Sequence, residues 1–264
     1  MVENTDSELT KEFADLISRS ERILIFTGAG VSTPSGIPDF RGPRGLGKKR
    51  KPVYFQDFRL SEEARVEYWE QKLQAYDAFC DAEPNSVHEA CVALEQESKV
   101  VAVVTQNVDG LHTKAGTSRG CLVEMHGTNT EIECLKCGNR YEPALYFTAF
   151  ADTHVPPRCG CGGLVKIATI SFGQNLHEED VGRAAAAAEE ADLVISLGST
   201  LSVYPAASIP LDAAMRGVPY VIVNQGETDH DGQECLTFRI EDEVEKIFPE
   251  VVCEALQRRE STLS

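Results

Sequence analysis

The chain has 264 residues, 42% hydrophobic and 25% charged, which are ordinary values for a globular protein with one large domain and a small insert. Its net charge of −17 argues against non-specific nucleic-acid binding, because phosphates select basic surfaces; it suits a soluble protein, or one with basic peptide partners. No apolar run approaches the roughly 18 residues of a membrane helix, and the acidic N-terminal stretch lacks the regions of a signal peptide, so a cytoplasmic protein is expected.

Leu9, Phe13, Leu16 and Ile17 recur at helical spacing, which predicts a helix over residues 8–20. Arg22 to Phe26 is a nearly continuous apolar run, the pattern of a strand buried on both faces of a parallel sheet. It leads into Thr27-Gly28-Ala29-Gly30-Val31-Ser32. A strand, a glycine turn and a small-residue helix start together aim backbone N–H groups at a phosphate. The third glycine of the dinucleotide fingerprint is missing, so an ordinary tight turn explains these residues equally well.

Pro34 to Gly47 is rich in glycine and proline and reads as a mobile loop. Lys48-Lys49-Arg50-Lys51 then reads as a solvated run, or one that helps attract a phosphate. Residues 60–80 are helical in pattern, with Trp69 as core of a small insert. Pro84 and Asn85 announce a further helix to about Gln96, in which His88 is structural. Lys99 to Thr105 is a second parallel-type strand, ending in Gln106, Asn107 and Asp109, where an open α/β sheet places its ligands.

Glu124-Met125-His126-Gly127 adds a carboxylate and a base that titrates near neutrality. His126 taken alone reads as well as a satisfied core histidine. Nine cysteines is an odd number for a disulfide framework. Cys134 and Cys137, separated by 21 residues from Cys159 and Cys161, instead form two close thiol pairs suited to a closed, structural, tetrahedral zinc site. The connecting segment reads as too short and irregular for a core of its own, and Cys80, Cys91, Cys121, Cys235 and Cys253 read as packing residues.

The sheet is expected to resume over residues 166–172, followed by a helix over 178–190. Strands over 192–197 and 218–224 end in Gly198-Ser199-Thr200 and in Asn224. This alternation predicts an α/β fold: a doubly wound parallel sheet, Rossmann-like, with a small zinc-binding module and a short helical insert.

Gly28-Ala29-Gly30-Val31-Ser32, Gly36-Ile37-Pro38-Asp39-Phe40-Arg41, Gln106-Asn107-Val108-Asp109, His126-Gly127, both cysteine pairs, Gly198 with Val203-Tyr204-Pro205-Ala206, and Val223-Asn224 occur in order from about residue 10 to 250. Together they resemble the signature blocks of the sirtuins, NAD-dependent protein-lysine deacylases. The resemblance implies an NAD-binding domain over residues 1–44, 85–131 and 165–264, a mobile loop and helical insert over 45–84, and a zinc module over 132–164. It implies NAD as co-substrate and one structural Zn2+ on Cys134, Cys137, Cys159 and Cys161.

By the same resemblance Gly28, Ala29, Gly30 and Ser32 take the pyrophosphate end of NAD, and Asp39, Phe40 and Arg41 belong to the loop closing over it. Gln106 contacts the nicotinamide ribose, and Asn107 and Asp109 hold the nicotinamide end. Gly198, Ser199 and Asn224 bind the adenosine half. His126 is the general base, with Asn107 beside it in the catalytic set. An acyl-lysine peptide would enter between the two domains and pair as an added strand with residues near Ile170 to Phe172 and with a loop after Gly198.

Three departures from the family pattern stand out. Ser199-Thr200 inverts the usual Thr-Ser order, a basic run follows Gly47 where an aromatic is common, and no Tyr-x-x-Arg pair occupies the helical insert. The last favours neutral acyl groups. Rival expectations are a protein ADP-ribosyltransferase or NAD hydrolase on the same fold, and a catalytically silent NAD-sensing module. A monomer without direct nucleic-acid or membrane contact is the expected state.

Overall fold

The structure, a computed structural model, describes residues 3–39 and 51–263. Its strands are β1 (Ile23–Thr27), β2 (Val100–Thr105), β3 (Leu122–Glu124), β4 (Gly127–Cys134), β5 (Arg140–Tyr141), β6 (Val165–Thr169), β7 (Leu193–Leu197), β8 (Tyr220–Val223) and β9 (Phe238–Ile240). Its helices are α1 (Glu3–Arg19), α2 (Phe55–Leu60), α3 (Glu62–Asp81), α4 (Ser86–Gln96), α5 (Leu111–Ala115), α6 (Pro143–Thr153), α7 (Glu178–Glu190), α8 (Ser208–Ala214) and α9 (Val244–Leu263).

The continuous apolar runs are explained by a sheet covered on both faces. Ile23 and Ile25 of β1 pack with Phe13, Ile17, Leu94 and Phe248, from α1, α4 and α9. Leu24 and Phe26 point the other way, into a layer built from Ala184, Ala188 and Ile209 of α7 and α8. Successive strand residues face opposite sides, so each face needs its own apolar set.

The main sheet has the order β3-β2-β1-β7-β8-β9, and all its neighbouring strands are parallel. This is the doubly wound order in which the connection reverses direction between β1 and β7, opening a crevice at the carboxyl ends of those strands. The expected Rossmann-like sheet is present.

One expected strand lies elsewhere. Residues 166–172 do not rejoin the main sheet: β6 ends at Thr169 and pairs antiparallel with β4, with Gly127 opposite Thr169 and Ile132 opposite Ile167. The small sheet has the order β5-β4-β6. A fully buried apolar run carries no signature of its partner, so its composition was compatible with either sheet.

The segment between the cysteine pairs is also more regular than expected. It contains β5 and the eleven-residue α6, opened by Pro143 at its first position. It still has no separate core. Phe147 and Phe150 of α6 pack on Trp69 of α3, at ring-centroid distances of 5.4 and 5.9 Å. Trp69 is fully buried in a cluster with Phe58, Tyr68, Ile132 and Ile167, so the helical insert and the cysteine segment share one core.

Candidate active site

The glycine turn leaves β1 as a single 3-10 turn, Ala29–Val31, rather than as the start of a longer helix. Across the crevice the β7 strand ends in Gly198, which takes the left-handed conformation at φ +59°. A β-carbon on Gly28 would lie 2.7 Å from the Gly198 carbonyl oxygen, and one on Gly30 2.7 Å from the Gly198 Cα. Both glycines are therefore demanded by the close seating of two turns at the switch point. Gly28, Gly30, Val31 and Ser32 already donate their N–H groups to the carbonyls of Leu197, Gly198, Gly28 and Ala29. Among the described residues this leaves Ala29 as the turn's N–H for a ligand.

Ser32, at the end of the turn, is buried and bonded twice. Its Oγ donates to Asp109 Oδ2 at 2.8 Å and accepts from Asn107 Nδ2 at 3.1 Å. The second Asn107 amide hydrogen goes to the Gly28 carbonyl at 3.0 Å. Asp109 Oδ1 accepts from the Leu111 N–H at 2.9 Å, which closes the loop into α5. Asn107 and Asp109 are both buried, so the end of β2 is locked against the glycine turn.

His126 lies just beyond β3, half-buried, and its Nδ1 is 2.9 Å from the Gln106 carbonyl oxygen. A carbonyl only accepts, so Nδ1 carries the proton and the lone pair of the neutral ring is on Nε2. Gln106 in turn donates through Nε2 to Ser199 Oγ at 2.7 Å, and Ser199 Oγ also accepts from the Leu201 N–H. Ser199 is thus buried and engaged, whereas Thr200 is exposed and bonds Ser202 at 2.8 Å. Asn224, at the end of β8, is buried with its amide turned to the carbonyls of Gln225 and Gly226.

Asp39 is partly buried at the last described position before residue 51, while Phe40, Arg41 and Lys48 to Arg50 lie outside the described residues. The other residues expected to bind NAD or act in catalysis follow the carboxyl ends of β1, β2, β3, β7 and β8.

Several residues packed about this crevice were not among the expected site residues. Asn85 caps α4 by accepting from the Val87 N–H, and its amide donates to the Val31 carbonyl and to Ser35 Oγ. His88, expected to be structural, is fully buried and accepts the Asn85 N–H on Nδ1, completing a capping box. His112 is buried beside Thr27, its Nε2 at 3.1 Å from Oγ1, and burial lowers its pKa to about 3, so the ring is neutral. Burial raises the Glu124 carboxyl to about 7 against the opposing Thr128 hydroxyl bond. Asn85 carried a helix-start signal and Glu124 its place two residues before His126, but neither signal pointed to the contacts made here.

The four cysteines of the two thiol pairs come together with all their Sγ atoms within 4.8 Å of one another. Cys134 and Cys161 are 3.6 Å apart, and Cys137 and Cys159 3.7 Å, far beyond disulfide length. A tetrahedron of thiolates with Zn–S bonds of about 2.3 Å has edges of about 3.8 Å, so this donor set fits a zinc ion. The Lys136 and Cys161 N–H groups and the Tyr141 hydroxyl point at these sulfurs, the outer shell expected of thiolate ligands.

The Sir2 family model matches residues 28–205. The chain is 39% identical over 221 residues to NAD-dependent protein deacetylase 1 of Bradyrhizobium diazoefficiens, covering 84% of this chain and 87% of that protein. It is 36% identical over 255 residues to the NAD-dependent protein deacetylase of Haloarcula marismortui, covering 95% and 96%. Among solved structures, a Sir2–p53 peptide–NAD+ complex superposes with a TM-score of 0.80 at 33% identity, covering 96% of this chain and 99% of that one. The fold, the crevice at its switch point and these similarities agree: the chain belongs to the Sir2 family.

Proposed function

We propose that this protein is an NAD-dependent protein-lysine deacylase whose general base is His126. The observation that carries the reading is the His126 bond to the Gln106 carbonyl, which leaves the basic lone pair on Nε2 within the crevice that also holds Asn107 and Asp109. A module that merely bound the dinucleotide would need no base there.

The donor set fits NAD. The Ala29 N–H and the Ser199 hydroxyl, which accepts from Gln106 and Leu201 and keeps its own proton, suit the phosphate and ribose oxygens, and Gly198 and Asn224 flank the adenosine end. Each Asp109 carboxylate oxygen accepts one bond and has a lone pair left for the amide of nicotinamide. Bound NAD would supply the nicotinamide-bearing ribose carbon to which the acyl-lysine oxygen adds as nicotinamide departs.

The chain's own contribution is orientation and one proton transfer. Asn107 and Ser32 hold the glycine turn and the Asp109 carboxylate in fixed register. His126 Nε2 takes the proton of a ribose hydroxyl, a task suited to imidazole near neutral pH. Its Nδ1–H stays on Gln106, whose side chain is held by Ser199. The products are nicotinamide, free lysine and O-acyl-ADP-ribose. The four thiolates fill the coordination of a structural zinc and leave no position for substrate. Phe40 and Arg41, in the loop, are proposed to close over NAD.

A neutral acyl group is supported by the engagement of Arg65, the arginine of α3. Arg65, three residues before Tyr68, is buried and donates to the Phe58 and Arg59 carbonyls at 3.0 and 3.3 Å. It is committed to the end of α2 rather than to a carboxylate. Among the described residues no helix is long and apolar enough to cross a membrane. We place the protein in the cytosol on the reducing environment that four thiolates require.

The test is nicotinamide release from NAD with and without an acetyl-lysine peptide. Release that requires the peptide, yields free lysine and falls by about 10²–10⁴-fold in His126→Ala is expected. Release without peptide would instead identify an NAD hydrolase.

A further inference from the structure

We propose a subsite for a basic side chain of the substrate, arginine above all, formed by Tyr54, Phe172 and Asp57 beside the acyl-lysine position. It rests on the deacylase reading and extends it to the sequence around the modified lysine.

Ile170, just past the end of β6, donates its N–H to the His126 carbonyl at 2.8 Å. Among the described strands β6 has β4 on one side and nothing on the other, so its continuation is an edge open to an extended peptide. Two residues on, Phe172 reaches a cavity of about 270 Å3 lined by Tyr54, Gln56, Asp57, Phe172 and Gly173. The Tyr54 and Phe172 rings lie 6.0 Å apart, inclined at 47°, and expose 53% and 47% of their surface. They are not held by chance contact, because the Phe55 N–H bonds the Phe172 carbonyl at 2.9 Å and ties the two segments together.

Two half-exposed aromatic faces with a carboxylate on the same wall form a cation site: the rings attract a guanidinium through their π faces and stack on its plane. The Asp57 carboxylate makes no ion pair with any described residue, although three nearby basic side chains are engaged elsewhere. Arg59 lies over the Phe55 ring, Arg65 on carbonyls and Lys72 over the Tyr68 ring. The net charge of −17 also favours basic peptides in approach.

The experiment measures binding of fluorescent acetyl-lysine peptides to the full chain, with arginine, leucine or glutamate scanned through the two positions on each side of the lysine. At one position arginine is expected to bind ~5–10-fold tighter than leucine, the size of a partly desolvated cation–π and ion-pair contact. Asp57→Lys should reverse the order in favour of glutamate, and Tyr54→Leu should reduce the ratio. Glu250→Lys, on the distant α9, changes net charge equally and should leave the preference intact.

Equal affinity for arginine and leucine at every position overturns the subsite. So does a preference unchanged in Asp57→Lys, or one lost equally in Glu250→Lys. Deacetylation is measured on the same peptides. Arginine-selective binding without turnover would uphold the subsite and overturn the deacylase reading; turnover without selectivity would do the reverse.

Discussion

Ser32 Oγ and Asp109 Oδ2, 77 residues apart in sequence, are 2.8 Å apart, and the same hydroxyl accepts from Asn107 Nδ2. This one side chain joins the turn after β1 to the loop after β2. It sets the position of the carboxylate proposed to hold nicotinamide.

Ser32→Ala removes the donor to Asp109 and the acceptor for Asn107, leaving buried polar groups unpaired at a cost of about 1–3 kcal/mol. The expected outcome is a lower melting temperature and at least a tenfold loss of peptide-dependent nicotinamide release. Ser32→Thr, which keeps the hydroxyl, should recover most of the activity. Thermal unfolding and steady-state kinetics on both variants check this.

Gly30→Ala places a methyl group 2.7 Å from the Gly198 Cα, backbone against backbone, so the two turns must part. Overpacking of this kind costs about 1–3 kcal/mol. Calorimetry should show that loss together with a weakened affinity for NAD, since both turns line the crevice. Gly182→Ala, where a β-carbon meets nothing within 4 Å, is the matched control and should be neutral or stabilising.

Zinc removal should be visible at Trp69. The only tryptophan of the chain is fully buried against Phe147 and Phe150, inside the segment framed by the cysteine pairs. Chelation, or Cys134→Ser, is expected to shift its fluorescence to the red and to lower the metal content from one zinc per chain. Unchanged emission after complete zinc loss would show that the shared core holds without the metal.

Glu124 gives a stability profile of definite sign. Burial raises its folded-state pKa from 4.5 to about 7, so the fold binds this proton more tightly than the unfolded chain does. Its contribution is fully present below the unfolded value of 4.5 and is lost as pH rises through about 7. His112, lowered from 6.5 to about 3, acts oppositely: its contribution is present above 6.5 and lost as pH falls toward 3. The difference in melting temperature between wild type and Glu124→Gln isolates the first effect. Wild type should lose stability relative to the variant between pH 4.5 and 7.

The local rules of sequence reached far into this fold. Helix α7 matches its expected span of 178–190, α4 ends at Gln96 behind an Asn85 cap, and β7 and β8 fall within their apolar runs. Those elements are written in periodicity, capping and turn residues that neighbours along the chain supply. The short strands β3 and β9, with three residues each, left no comparable pattern. Helix α9 carries Pro249 inside it, a residue that argues against a helix when only its neighbours are considered.

Within the candidate site, residue types were legible and relationships were not. The glycines at 28 and 30 announce a backbone constraint, but nothing in that stretch says that Gly198 causes it. His126 announces a base, but not that Gln106 selects its tautomer. Thus the sequence by itself determined the α/β alternation, the glycine turn, the thiol pairs and the polar strand ends, because each depends on residues close along the chain. Only the tertiary structure decided that β6 leaves the main sheet, that Trp69 and α6 share a core, and that Ser32 bridges Asn107 and Asp109. Those outcomes depend on contacts across tens of residues, for which composition and periodicity carry no coordinate.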